Sequence, residues 1–184
     1  MQLEAKTTAL VLIDLQKGVL AMPVQPYPAA EIYARSKRLA QRFRDAGSAV
    51  VQVRVSFSQD LADAPPNVVD QPSNFASLPP GWDDFPEPLP PSDIVITKRH
   101  WGAFHGTELD LQLRRRGVRR IVLAGIATNI GVESTARSAF EHDYELVIPE
   151  DLCSCISAET HAFSLKHILP RLARITTAEA ITLV

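Results

Sequence analysis

Ile121–Phe140, IVLAGIATNIGVESTARSAF, is the stretch whose reading decides the fold. Ile121, Val122, Leu123 and Ala124 form the short continuous apolar run of a strand buried on both faces, as in a parallel sheet. The polar turn Ala127–Thr128–Asn129 leads into a helix that Thr128 or Asn129 is placed to cap. Such a junction puts backbone N–H groups and the positive end of a helix dipole at the carboxyl edge of a sheet. That edge suits an activated nucleophile or a held anion. The first helical turn carries Gly131, which has no side chain to supply a nucleophile.

Outward from this junction, strand and helix patterns alternate. Thr8–Ile13 is a continuous apolar strand, and Ala29–Ala46 reads as a helix with Ile32, Leu39, Ala40 and Phe43 on one face, stopped by Gly47. Ala49–Val55 and Ile94–Thr97 are the next two strands, and Glu108–Arg116 is a helix. After the opening junction come a strand at Glu145–Ile148, a helix over Ala158–Leu169 ended by Pro170, and a strand at Ala173–Thr176. A short closing helix is expected over Ala178–Leu183. Six strands separated by helices predict an α/β fold, with a three-layer, doubly wound parallel sheet in one domain spanning residues 1–184. In the order 3-2-1-4-5-6, ligands bind beyond the carboxyl ends of the strands, where the winding reverses between strands 1 and 4. Asp14 ends strand 1, Lys98 ends strand 3, and Gly125–Gly131 follows strand 4, so all converge on one edge.

Ser56–Ser92 breaks the rhythm, holding nine of the fourteen prolines. A connection this long in a compact domain suits a lid, a binding loop or a subunit contact. Phe75, Trp82 and Phe85 supply aromatic anchors that let it pack rather than stay disordered.

Composition excludes some partners. A net charge of −2 gives no bulk attraction to nucleic acid or anionic lipid. The basic run Leu113–Arg120, LRRRGVRR, reads as a solvated helix end stopped by Gly117, its cations complementing the dipole. No apolar run approaches the ~20 residues that span a bilayer, and MQLEAKTT lacks the apolar core of a signal peptide, so a cytoplasmic location is expected. Cys153 and Cys155 lie too close for a structural disulfide and lack zinc-site partners. They read as small residues in the loop after a strand, with a displaced nucleophile as the alternative.

The motif G-I-A-T-N-I-G-V-E-S-T-A-R at Gly125–Arg137 resembles the second signature of the isochorismatase-like cysteine hydrolase superfamily, which includes nicotinamidases, N-carbamoylsarcosine amidohydrolases and isochorismatases. Ala9–Gln16, ALVLIDLQ, resembles its first-strand block, and Thr97–Leu109, TKRHWGAFHGTEL, its lysine block. The resemblance extends from about Lys6 to near the end of the chain. It implies that Asp14 and Lys98 are catalytic, that Ala127 belongs to the oxyanion segment behind a cis Ile126–Ala127 peptide, and that Gly131 stands at the nucleophile position. Amidohydrolase members carry a cysteine there and true isochorismatases a glycine. Trp101, Phe104, Thr128 and Asn129 are expected to contact substrate, with His100 and His105 nearby. Nicotinamidases hold a metal after the second strand with an Asp-x-His pair and a further histidine. This chain reads VRVSFSQD there and has no histidine from Val50 to Arg99, so neither zinc nor another cofactor is expected.

The resemblance implies a hydrolase of a small carboxylate-bearing molecule by metal-free Asp/Lys acid–base chemistry. Two alternatives stay open: hydrolysis of amide or imide-type C–N bonds by activated water, and a non-catalytic ligand-binding homologue. The expected partners are a small-molecule substrate and further copies of the chain, as a homodimer or larger homo-oligomer, with neither nucleic acid nor membrane.

Overall fold

The apolar runs pair side by side. In the structure, a computed structural model that describes residues 1–184 with the side chain of Ala76 excepted, the elements in chain order are strand β1 (Gln2–Leu3), strand β2 (Thr8–Ile13), helix α1 (Lys17–Leu20), helix α2 (Ala29–Asp45), strand β3 (Ala49–Val55) and strand β4 (Ile94–Lys98). They continue with helix α3 (Leu109–Arg114), strand β5 (Arg120–Ile126), helix α4 (Glu133–Glu141), strand β6 (Glu145–Pro149), strand β7 (Cys153–Ser154), helix α5 (Ala158–Phe163), strand β8 (Arg174–Thr176) and strand β9 (Thr182–Leu183).

The main sheet is parallel, with order β4-β3-β2-β5-β6-β8, which is the expected 3-2-1-4-5-6. All six residues of β2 are buried, as a central strand covered on both faces requires. Ile32, Leu39, Ala40 and Phe43, spaced at the helical repeat, put one face of α2 into the core. The register between the central strands aligns Ile13 with Gly125. A Cβ on Gly125 would sit 2.2 Å from the Ile13 carbonyl oxygen, and its φ of +131° is one that L side chains rarely adopt.

Four expectations need correction. The sheet has seven strands, because Cys153–Ser154 forms β7 beside the end of β5 rather than a loop. Ala178–Leu183 does not close the chain as a helix: Thr182–Leu183 is β9, which pairs in parallel with β1 and ties the two ends of the chain together. The helix expected over Ala158–Leu169 relaxes at Ser164–Ile168 into a wider π-type turn, then a tighter turn at Leu169–Arg171. At the deciding junction neither Thr128 nor Asn129 caps the helix. Thr128–Val132 is a π-type turn without a side-chain cap, and the Thr128 hydroxyl pairs instead with His161 Nδ1 at 2.8 Å.

Candidate active site

The carboxyl ends of β2, β4 and β5 surround a pocket of about 270 Å³. Asp14 follows directly on β2, its N–H donating to the Val53 carbonyl at 2.9 Å and its φ at +56°. A left-handed backbone is uncommon for a non-glycine residue, and aspartate is among those that adopt it most readily. Lys98 is the last residue of β4. Its ammonium reaches across β3 to lie 2.8 Å from Asp14 Oδ2, and it also donates to the carbonyls of His100 at 3.1 Å and Trp101 at 3.0 Å. Three partners use all three ammonium hydrogens. Lys98 therefore holds Asp14 in place and has no donor to spare.

The carboxyl of Asp14 is buried, and its Oδ1 has no hydrogen-bond partner among the described residues. Burial is the largest influence on its ionisation and raises its pKa; the Lys98 charge and hydrogen bond pull the other way and lose. The proximity of Lys98 alone suggests a lowered value, and the depth of the site reverses that.

Ala127 and Gly131 line the same pocket, and the Ile126–Ala127 peptide is cis. The space above Gly131 is closed. A Cβ there would meet Ile13 Cγ2 at 2.9 Å and Asp14 Oδ2 at 3.2 Å. Of the four residues expected to contact substrate, the structure brings only Trp101 to the pocket wall, with most of its surface exposed. Phe104 is buried against His142 and Tyr144, with ring centroids 5.0 Å and 5.8 Å away. Thr128 is buried against His161, and Asn129 does not reach the pocket. His100 lines the pocket, whereas His105 meets it only through the His100 ring.

Several wall residues carry no sequence signal. Phe57, Pro65, Ser73 and Phe75 come from the proline-rich segment, which folds over the pocket as a lid. Phe57 packs against Phe75 at 4.9 Å and Trp82 at 5.7 Å between ring centroids. The lid is tied down by α1, where the N–H of Gly18 donates to the Trp82 carbonyl at 2.8 Å and that of Lys17 to Asp84 at 2.9 Å. Fully buried Gln16 bridges the two, accepting from Val55 N–H at 2.8 Å and donating to the carbonyls of Val55 and Trp82. Arg99, beside Lys98, lines the pocket and forms an ion pair with Asp63 of the lid. For the loop residues the only signal is the aromatic content of a long connection, whereas Gln16 and Arg99 lie inside the blocks that carry the resemblance without being singled out there.

The two cysteines stand apart from this chemistry. Both are buried, neither lines the pocket, and burial pushes the Cys153 thiol up to about 12. A thiol so weakly acidic is inert as a nucleophile. No group of three His, Cys, Asp or Glu side chains suited to a metal ion occurs among the described residues. No helix among them is long and apolar enough to cross a membrane.

Comparison with known proteins agrees with the fold and the order of the motifs. The isochorismatase domain model matches residues 8–180. The uncharacterised isochorismatase family protein YecD of Escherichia coli O157:H7 is 53% identical over 183 residues, covering 98% of this chain and 97% of its own. An isochorismatase family protein from Burkholderia thailandensis superimposes with a TM-score of 0.91 at 44% identity, covering 96% of this chain and 94% of its own. A shorter match joins the chain to the ureidoacrylate amidohydrolase of Variovorax paradoxus, 49% identical over 61 residues, which are 33% of this chain and 24% of that protein. Likeness along almost the whole length, in sequence as in backbone, means that the chain belongs to the isochorismatase family, whose members are hydrolases.

Proposed function

We propose that this chain hydrolyses a small carboxylate-bearing molecule with Asp14 as its proton donor and acceptor, Lys98 fixing that carboxyl, and no covalent nucleophile. One observation carries the reading. A buried Asp14 whose pKa is raised sits beside a Gly131 with no room for a nucleophilic side chain. The protonated carboxyl gives its proton to the substrate atom whose protonation makes the neighbouring carbon electrophilic. Water adds to that carbon, its surplus proton passes to the Asp14 carboxylate, and the bond to the leaving group breaks. Asp14 ends as it began. Lys98, 2.8 Å from Oδ2, stabilises the carboxylate while the proton is away. The mostly apolar walls, Val19, Met22, Val55, Phe57, Phe75 and Ile130, take the body of a compact substrate.

A second reading has its own support. The local likeness to a ureidoacrylate amidohydrolase suits hydrolysis of a C–N bond by a water that Asp14 activates as base. The bond broken separates the two readings. Purified protein offered isochorismate, simple amides and ureides should deplete one class, with amine or ammonia release marking the second. Asp14→Asn should lower kcat/KM by ~10²–10⁴-fold, the usual weight of a positioned acid or base. Full activity in a folded Asp14→Asn protein would remove Asp14 from the chemistry and this proposal with it.

A further inference from the structure

Two cations line the pocket, and they differ in what they can still bind. The Lys98 side chain is 3% exposed, with every ammonium hydrogen engaged. That of Arg99 is 36% exposed. Arg99 donates through Nε to Asp63 and weakly through Nη1 to the Lys98 carbonyl at 3.5 Å, while Nη2 makes no hydrogen bond among the described residues. A guanidinium offers five donors in a planar fork matched to a carboxylate, so much of its capacity is unused.

We infer that Arg99 is the group that receives the substrate's carboxylate, and that Asp63 on the lid occupies that place until the substrate arrives. The inference rests on the carboxylate-bearing substrate proposed above. Asp63 is itself a carboxylate, and it stays ionised: the Ser58 N–H, 2.7 Å from Oδ1, and the Arg99 guanidinium on Oδ2 hold its pKa down at about 2. It presents to Arg99 the same chemistry an incoming carboxylate would bring. The Arg99–Asp63 pair is about one-third exposed on each side. An ion pair so open to water is weak and screened by salt, so an incoming carboxylate can displace Asp63.

The exchange has a direction and a selectivity. A substrate carboxylate on Arg99 displaces the Asp63 carboxylate from the guanidinium, while the Ser58 N–H at 2.7 Å and hydroxyl at 2.9 Å from Oδ1 keep that stretch of the lid folded. A neutral molecule of the same shape offers Arg99 nothing to replace Asp63, so it meets an occupied site. Selection for an anion therefore follows from a competitor built into the chain, and the apparent affinity is reduced by the fraction of molecules in which Asp63 is seated.

Benzoate and benzamide, equal in shape and different in charge, test this by fluorescence titration of Trp82 and Trp101. Benzoate should bind the wild type roughly tenfold or more tightly than benzamide, as a charge-assisted pair does over a neutral one. Arg99→Gln should abolish that preference, while Arg99→Lys should keep part of it. Asp63→Asn should tighten benzoate roughly tenfold by removing the competitor. No saturable benzoate binding at millimolar concentration, a preference that survives Arg99→Gln, or weaker benzoate binding in Asp63→Asn would each overturn the proposal. Should the variants not fold, loss of the wild-type preference in high salt still supports it, and a salt-independent preference overturns it. These affinities are read without turnover and can be repeated in Asp14→Asn, so failure of the Asp14 chemistry is distinguishable from failure here.

Discussion

Asp14 combines a left-handed backbone, a buried carboxyl and a cation at 2.8 Å, three features that seldom coincide by chance. Because burial raises its pKa, it keeps its proton above the ~3.9 of an ordinary aspartate. Chemistry that starts from the protonated form is complete below the raised pKa and lost as pH rises through it. The profile of kcat/KM should therefore descend on its alkaline side. Lys98→Met removes the charge that opposes the shift, so the descending limb should move to higher pH; an unmoved limb would show that it belongs to another group.

Gly131 offers a second residue-scale test. Its would-be Cβ meets Ile13 Cγ2, and Ile13 is a β-branched residue on a fully buried strand with no room to turn away. Gly131→Ala gains up to ~1 kcal/mol of helix propensity but overpacks the site at a cost of ~1–3 kcal/mol, so a net loss of about 1 kcal/mol is expected. Denaturant unfolding measures it, and Ile13→Val in the same chain should return part of the loss. A more stable Gly131→Ala would mean that the space is open.

At the scale of elements, the close passage of β5 over β2 sets the geometry of the pocket. Gly125→Ala drives a methyl into the Ile13 carbonyl at a φ no alanine favours, and the backbone on both sides belongs to the central strands. The expected loss is ~3 kcal/mol or more, with little soluble protein on expression. A soluble Gly125→Ala of unchanged Tm would refute it.

The six main strands are legible as short apolar runs such as ALVLI separated by helical patterns, and their order follows from the doubly wound arrangement that this alternation implies. Asp14 and Lys98 are legible because the blocks ALVLIDLQ and TKRHWGAFHGTEL resemble the family's, and the strand ends bring both to one edge. The misread elements all depend on distant partners. Thr182–Leu183 becomes a strand only because Gln2–Leu3 lies beside it, and Thr128 leaves its capping role for His161, far along the chain. The π-type turn at Ser164 places that hydroxyl on Glu133 Oε2 at 2.6 Å, a contact no local pattern encodes. Phe57 and Phe75 are missing from the sequence-derived site for the same reason, and Arg99 because its partner Asp63 lies in that loop. A proline-rich loop has no period from which its path can be read.

On the scale of the whole molecule, the chain is organised outward from β2. The strand is buried on both faces and paired on both sides, and the residue that follows it is the one on which the proposed chemistry turns. Opposite extremes of the chain meet away from it. Gln2 lies beside Thr182 and Leu3 beside Leu183, with the N–H of Ala5 donating to the Val184 carbonyl at 2.9 Å.

That end-to-end ribbon has a consequence for the order in which the protein assembles in time. Joining β1 to β9 closes a loop of almost the entire chain, and the entropy of closure must be met before two-residue strands return anything. The ribbon should form after the rate-limiting barrier, once the main sheet has brought the ends close. Leu3, buried in the core cluster, is the residue to probe. Leu3→Ala should leave the refolding rate almost unchanged and speed unfolding by nearly the full equilibrium loss, a φ-value near zero. Stopped-flow refolding and unfolding arms would show it, and a refolding rate that falls in step with stability would place the two ends together in the nucleus.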